Sequence, residues 1–391
     1  MIVLPVSHPL ALLAALPWVA IPVITAARMR GSPSLADESP APPTDGPLVS
    51  VIIPARDEAR NIARCATSVL ASAYRPLEVV IVNDRSTDGT AAIAGALAER
   101  DPRLRVVDAP PLEEGWFGKQ WACAQGAATA RGTLLCFTDA DTVHAPDLLP
   151  RAVNAVRARA LDLLTVAGRQ RVETFWERVV QPQLFALLAL RYGGPRAVNG
   201  SRRAVDKIAN GQFILVRRDA YDDVGGHAAV RAKVAEDLAL AQLFFRRDKR
   251  TELTLGVGQL ATRMYASLGE LVGGWMKNIY AGALDAAPLG PLGRALLPLA
   301  LLVGPAAELA PLAALGTVLA GSAGEGLFLW GAVASAVTLL SWLYVYARVV
   351  RANVLYAFSY PLGAMVLAWI VLRAVGRGRR VEWKGRRYVA E

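Results

Sequence analysis

The chain has 391 residues, of which 54% are hydrophobic and only 19% charged, with a formal net charge of +10. An apolar share this high, gathered into long runs, excludes an ordinary soluble globular protein and points to membrane segments. The positive charges sit beside those runs and form no aromatic-interleaved stripe. That placement suits anionic lipid headgroups and argues against a nucleic-acid partner. The three cysteines, Cys65, Cys123 and Cys136, lack metal-ligand spacing and suit a reducing, cytosolic compartment.

Residues 9–27 form the first apolar run. Its positive charges, Arg28 and Arg30, follow the run instead of preceding it. The positive-inside rule then predicts an uncleaved transmembrane anchor over residues 1–30, with its N-terminus outside. Residues 31–47 are a proline-rich linker that cannot build a core.

Residues 48–265 read as one α/β domain. Apolar runs at 48–54, 77–83, 104–107, 133–138 and 161–166 predict strands. Helix patterns at 59–72, 88–100, 117–130 and 146–159 fall between them. That alternation predicts a mostly parallel sheet with helices on both faces. Further helices are predicted at 174–190 and 234–247, with a short strand at 212–216.

Residues 266–290, with Trp275, Lys277 and Tyr280, predict an interfacial segment. A membrane region follows at 291–373, with apolar stretches at 292–320, 327–347 and 354–372. The tail at 374–391 carries Arg377, Arg379, Arg380, Lys384, Arg386 and Arg387 and should stay cytosolic with the α/β domain. An even number of spans must then separate the two. Gly304-Pro305, Glu308 and Pro311 interrupt the first stretch. It is expected to be re-entrant or interfacial, leaving the other two as a hairpin.

The chemistry collects at strand ends. In an open α/β sheet, ligands bind beyond the carboxyl ends of the strands. The fourth predicted strand ends in Asp139-Ala140-Asp141. Two buried acids require a cation; a divalent metal carrying a phosphorylated ligand supplies one, and a solvated helix cap gives the same triplet. The first strand runs into Pro54-Ala55-Arg56-Asp57-Glu58, where Asp57 can cap a helix or face a ligand. Asp84 follows the second strand, where an acid can accept from a ribose hydroxyl or a base N–H, and Asp88 can cap the next helix. Lys119, in Gly118-Lys119-Gln120, opens a helix where it can meet phosphate or simply sit at the surface. Glu236 and Asp237 begin another helix; acids there suit the helix dipole, and one of them can instead act as a base.

Taken in order, these segments resemble the family-2 glycosyltransferases, which have the GT-A fold: a Rossmann-like, mostly parallel sheet with flanking helices. The resemblance covers about residues 48–265, with Asn83-Asp84 standing where the family usually has two aspartates. It implies a nucleotide-diphosphate sugar donor, a UDP-sugar being favoured. Pro54, Ala55, Arg56, Glu58, Asp84, Lys119, Asp139 and Ala140 would line the donor site. Asp141 with Asp139 would bind Mn²⁺ or Mg²⁺. Asp237, beside Glu236, would be the general base of a single, inverting displacement.

Gly115-Trp116-Phe117-Gly118-Lys119-Gln120-Trp121-Ala122, Ala209-Asn210-Gly211-Gln212-Phe213 and Trp383-Lys384-Gly385-Arg386-Arg387-Tyr388 look like features of a membrane-anchored subgroup. That subgroup is associated with hopanoid and carotenoid glycosylation. The Gln-x-x-Arg-Trp motif of polymer-forming members is absent, which argues for single transfer over processive polysaccharide synthesis. The expected protein is a multi-pass inner or plasma membrane enzyme with a cytosolic catalytic domain. It would glycosylate a membrane lipid (isoprenoid, hopanoid, carotenoid or glycolipid), with Trp275 and Tyr280 on the acceptor side and anionic lipids at the basic tail. The alternative from another class is a non-catalytic nucleotide-sugar sensor or scaffold.

Overall fold

Valine, isoleucine and leucine fill the strands of the central sheet almost without polar interruption, the pattern of a sheet covered on both faces. The structure, a computed structural model, describes residues 8–285, 287, 289–321, 324–378, 380–383 and 386–389. The first seven positions of the expected anchor, and Arg379, Lys384 and Gly385 of the expected tail, lie outside the described residues.

In chain order the elements are α1 (His8–Met29), β1 (Val49–Ala55), α2 (Ile62–Leu70), β2 (Leu77–Asn83), α3 (Thr90–Ala98), β3 (Leu104–Asp108), α4 (Gly118–Thr129), β4 (Leu134–Phe137), β5 (Thr142–His144) and α5 (Leu148–Arg159). There follow β6 (Leu163–Ala167), β7 (Arg169–Gln170), α6 (Phe175–Tyr192), α7 (Pro195–Gly200), β8 (Ile214–Arg217), α8 (Arg218–Asp223), α9 (Glu236–Arg246), β9 (Thr251–Leu255) and β10 (Leu260–Thr262). The chain closes with α10 (Leu268–Asn278), α11 (Ala281–Asp285), α12 (Gly290–Leu319), α13 (Glu325–Tyr344), α14 (Tyr360–Arg377), β11 (Arg380–Trp383) and β12 (Arg386–Val389).

The main sheet has the order β3-β2-β1-β4-β8-β6-β9, parallel except for β8, which runs against both β4 and β6. Register places Ala55 beside Asn83 and Ile52 beside Phe137. The loops after β1, β2 and β4 therefore leave the sheet at one edge. Gly126 lets α4 lie close on this sheet. A Cβ there would collide with Ile52 Cγ2 and sit 2.9 Å from Val82 Cγ2. Gly126→Val is expected to cost about 1–3 kcal/mol through overpacking. A thermal melt checks this; an unchanged Tm would mean that α4 can retreat freely.

Four helices are long and apolar enough to cross a membrane: His8–Met29, Gly290–Leu319, Glu325–Val350 and Val354–Arg377. The stretch expected to be re-entrant is instead one continuous 30-residue helix, α12, despite Pro298, Pro305 and Pro311. It runs to the end of the bundle where Glu325, opening α13, lies 3.8 Å from His8 at the start of α1. Trp18 and Trp330 meet edge-on at 5.3 Å, and the Trp18 indole donates to the Ala307 carbonyl at 2.9 Å. The opposite end returns to the α/β domain: Tyr346 Oη donates to the Arg178 carbonyl of α6 at 2.6 Å. Helix α14 packs against α6 and α10 through Leu367, Ile370 and Val371.

Candidate active site

Three loops meet at the carboxyl edge of the sheet and are stitched together by backbone contacts. Asp57 adopts a left-handed φ of 52° and accepts from the Thr87 amide at 2.7 Å, so it ties the first loop to the second and does not cap α2. Glu58 N donates to Thr90 Oγ1 at 2.7 Å, and Ala59 N to Asp88 Oδ2 at 3.1 Å. Asp88 also accepts from Thr90 N at 3.0 Å at the start of α3, the local role predicted for it. Pro54 and Ala55 form the end of β1 beneath this junction. Asn83, at the position where the resemblance expects an acid, donates to Asp108 Oδ1 at 2.7 Å and braces β3.

Asp84 is buried at the centre of an arginine cluster. Arg56 Nη1 donates to its carbonyl at 3.0 Å, and Arg85 Nη2 to Oδ1 at 3.0 Å. Arg386 of β12 grips the same carboxylate with both terminal nitrogens, at 2.7 and 3.2 Å. Sequence reasoning assigned Arg386 to a lipid-facing tail. No local pattern connects it to Asp84, 302 positions away.

The other half of the cleft is built from β4, α4 and α9. Lys119 Nζ lies 2.7 Å from Asp139 Oδ1 and 2.7 Å from Glu236 Oε1. Burial works against its charge, but the two carboxylates hold its pKa well above the usual lysine range. Burial would raise Glu236 as well; Lys119 outweighs it and holds the acid below the carboxylate range. Asp139 is pushed up by burial against the pull of Lys119.

Asp141 is raised to about 8, by burial and then by the charges of Asp139 and Glu58. Its Oδ1 is buried without a hydrogen-bond partner. An orphaned carboxylate oxygen beside a second acid fits a hard cation. Among the described residues no cluster of three or more His, Cys, Asp or Glu could hold a metal ion, so Asp139 and Asp141 would share one with ligand oxygens. His144 and His227 are buried and bonded to Thr138 and Tyr221. Ala140, between the two acids, is buried in the core.

Asp237 is held by backbone amides. Gly211 N donates to Oδ2 at 2.9 Å and Leu238 N to Oδ1 at 2.8 Å. Burial, then the charge of Glu236, raises its pKa to about 6. Only a glycine fits at 211 without displacement: a Cβ would lie 2.9 Å from Lys119 Nζ and 3.2 Å from Asp237 Oδ2. The Ala209–Phe213 stretch noted in the sequence is thus the support of Asp237. The structure brings together Glu58, Lys119, Asp139, Asp141, Glu236 and Asp237.

Trp275 is placed elsewhere. It is buried between α6, α10 and α14, edge-on to Phe185 at 6.0 Å, and Tyr280 packs against the same cluster. Trp275 is thus buried away from any open surface, while Tyr280 stays half-buried. A groove does open beside them, between α10 and α14, lined by Leu268, Val272, Met276, Trp369, Arg373 and Arg377. Arg263, which the polymer-forming motif brings to mind, is committed to Glu177 at 2.9 Å and anchors α6.

A mostly parallel sheet flanked by helices, with acids at its carboxyl edge, is the GT-A fold, here joined to four helices long and apolar enough to cross a membrane. The sequence profile described as glycosyl transferase family 2 matches residues 50–225, within the α/β domain. It is 26% identical over 347 residues to the 4,4'-diaponeurosporenoate glycosyltransferase of Staphylococcus aureus strain MRSA252, covering 87% of this chain and 88% of that one. The protein of the same description from strain USA300 is 28% identical over 239 residues, covering 60% and 61%. Among solved structures, the mannosyltransferase PcManGT from Pyrobaculum calidifontis, in complex with GDP-Man and Mn²⁺, superposes with a TM-score of 0.60 at 19% identity. That likeness covers 94% of this chain and 97% of that chain, so the fold similarity extends beyond the α/β domain into the long apolar helices.

Proposed function

We propose that this protein moves one sugar from a nucleoside diphosphate sugar to an apolar lipid acceptor at the cytosolic face of the cell membrane, with inversion at the anomeric carbon. The observation that carries the reading is the convergence of two acid pairs on Lys119, Asp139–Asp141 from β4 and Glu236–Asp237 from α9. Asp84 and Glu58, with Pro54 and Ala55 beneath them, form the donor end, where Asp84 accepts from the base or ribose. Asp139 and Asp141 would hold Mn²⁺ or Mg²⁺, which supplies charge neutralisation for the departing diphosphate. PcManGT, solved with GDP-Man and Mn²⁺, supports that assignment. Asp237 takes the acceptor proton as the acceptor oxygen bonds to the anomeric carbon; the bond from that carbon to the diphosphate breaks, and the nucleoside diphosphate leaves. A single amide-held base, with Glu236 neutralised by Lys119, suits one displacement and leaves no second carboxylate free as a nucleophile.

The acceptor reading rests on the relatives' description, which names an apolar carboxylate, and on the groove between α10 and α14. Its floor is apolar and its rim carries Arg373 and Arg377. A lipid with an anionic or polar head fits that pairing, and the basic rim also suits anionic headgroups. The test is acceptor-dependent release of UDP from UDP-glucose, or of GDP from GDP-mannose, by the purified protein with membrane lipid extracts. The product would be identified by lipid mass spectrometry and its anomeric configuration by NMR. Nucleotide release that never depends on added lipid would sink the reading.

For the topology we propose that α1, α12 and α13 cross the membrane and α14 lies in the interface on the domain side. Glu325 sits with His8 at the far end, while Tyr346 and Arg386 both return to the α/β domain. Parity is then satisfied with α14, not α12, as the non-crossing helix. Gly324→Cys should label from outside intact cells and Ala352→Cys only after permeabilisation. Outside labelling of the second would make α14 a span.

A further inference from the structure

The C-terminal hairpin pairs β11 with β12, and Arg386 and Tyr388 of β12 reach residues of the donor pocket. Arg386 pairs with Asp84 through both carboxylate oxygens, and the two side chains are 17% and 2% exposed. Tyr388 stacks on Phe117, with ring centroids 4.3 Å apart and planes 17° apart. Phe117 immediately precedes Gly118-Lys119 at the start of α4. Tyr388 Oη lies beside the Arg386 guanidinium but is buried without a hydrogen bond of good geometry. Among the described residues, an ion pair and a ring stack thus join the hairpin to residues bordering the site.

Asp84 is 2% exposed, and Arg386 covers the carboxylate that a nucleotide would have to reach. Its Oδ1 already receives Arg85 and Arg386, and its Oδ2 receives Arg386. A base or ribose reaching Asp84 must displace the Arg386 guanidinium. A buried guanidinium stripped of its carboxylate is costly unless another anion replaces it. The incoming donor brings such an anion, its diphosphate, and a planar guanidinium binds phosphate oxygens in the same forked geometry as a carboxylate. Lys119, another cation of the cleft, is already shared between Asp139 and Glu236.

Building on the donor reading above, we propose that Arg386 is a donor-binding residue carried by the C-terminal hairpin. It rests on Asp84 in the free enzyme and exchanges that carboxylate for the donor diphosphate when the nucleotide enters. The stack of Tyr388 on Phe117 keeps the hairpin over the pocket during the exchange.

The exchange gives opposite signs for two ligands that differ only in phosphate. Calorimetry on the full-length protein in detergent with Mn²⁺ would compare UDP with uridine and GDP with guanosine. Arg386→Ala should weaken the diphosphate by about tenfold or more, while the matching nucleoside binds as well as to wild type or more tightly, because Asp84 is freed. Arg386→Lys should recover part of the diphosphate affinity. In Asp84→Asn, manganese pyrophosphate should bind several-fold more tightly than to wild type, since Arg386 is released, and adding Arg386→Ala should erase the gain. Diphosphate and nucleoside affinities that rise together in Arg386→Ala would make the hairpin a mere plug and overturn the proposal. So would no change in either. Wild-type protein that binds neither UDP nor GDP would instead sink the donor reading, and this proposal with it.

Discussion

Replacing Asp237 with asparagine is expected to lower kcat by about 10²–10⁴-fold for a hydroxyl acceptor, while UDP or GDP affinity stays within a few-fold of wild type. The substitution keeps the size of the side chain, and its one amide oxygen can still accept from Gly211 N or Leu238 N, which now hold separate carboxylate oxygens at 2.9 and 2.8 Å. Proton acceptance is lost together with one of those two hydrogen bonds. With an acceptor carboxylate, already ionised at neutral pH, there is no proton to remove, and the same variant should lose less than about tenfold. Running both acceptor types on one variant thus separates a base from a merely structural acid.

The pH profile follows from the same residue. Asp237 must be ionised to accept a proton, and its pKa lies at about 6. For a hydroxyl acceptor, kcat/KM should rise with pH and reach half its plateau near that value. The groups facing Asp237 are Glu236 beside it, Lys119 from α4, Tyr192 from α6 and Lys277 from α10. Removing the negative neighbour, as in Glu236→Gln, should move the acid limb to lower pH. A limb that stays in place would show that burial alone sets it.

The sequence made the catalytic half of the fold readable because the local signal and the tertiary demand agree there. The second predicted strand, 77–83, coincides with β2, and the acids were found at the strand ends where the α/β rule puts them. Lys119 was singled out as a phosphate partner at a helix start; only the structure shows its ammonium divided between two acids from distant segments. Strands β5, β7 and β10 were not legible, since two or three residues carry no period. The continuity of α12 was not legible, because its prolines and a glutamate have the look of interruptions. Glu308 is instead satisfied within the bundle by Gln183 Nε2 at 2.9 Å, so the helix continues past it. Arg386 on Asp84 is a contact between chain ends, and nothing in a linear pattern encodes it. Trp275 was read as interfacial from its residue type; packing against Phe185 took it into the core.

Asp141→Asn is expected to abolish transfer yet raise the melting temperature of the ligand-free protein. Asp141 sits among like charges, Asp139 and Glu58, with Oδ1 buried and unpartnered. In the absence of a cation that carboxylate destabilises the fold, because burial and repulsion act in the same direction. Removing its charge should add about 1–2 kcal/mol, or roughly 2–4 °C for a domain of this size. The same change removes half of the acid pair assigned to the metal, and kcat should fall by at least about 10²-fold. Calorimetry gives the independent readout: Mn²⁺ with UDP should raise the wild-type Tm and leave that of the variant almost unmoved. Stability gained together with activity lost is the signature of an acid retained for its ligand. A variant that is less stable than wild type, or that still gains stability from Mn²⁺ with UDP, would return Asp141 to a structural role and leave Asp139 to hold the metal.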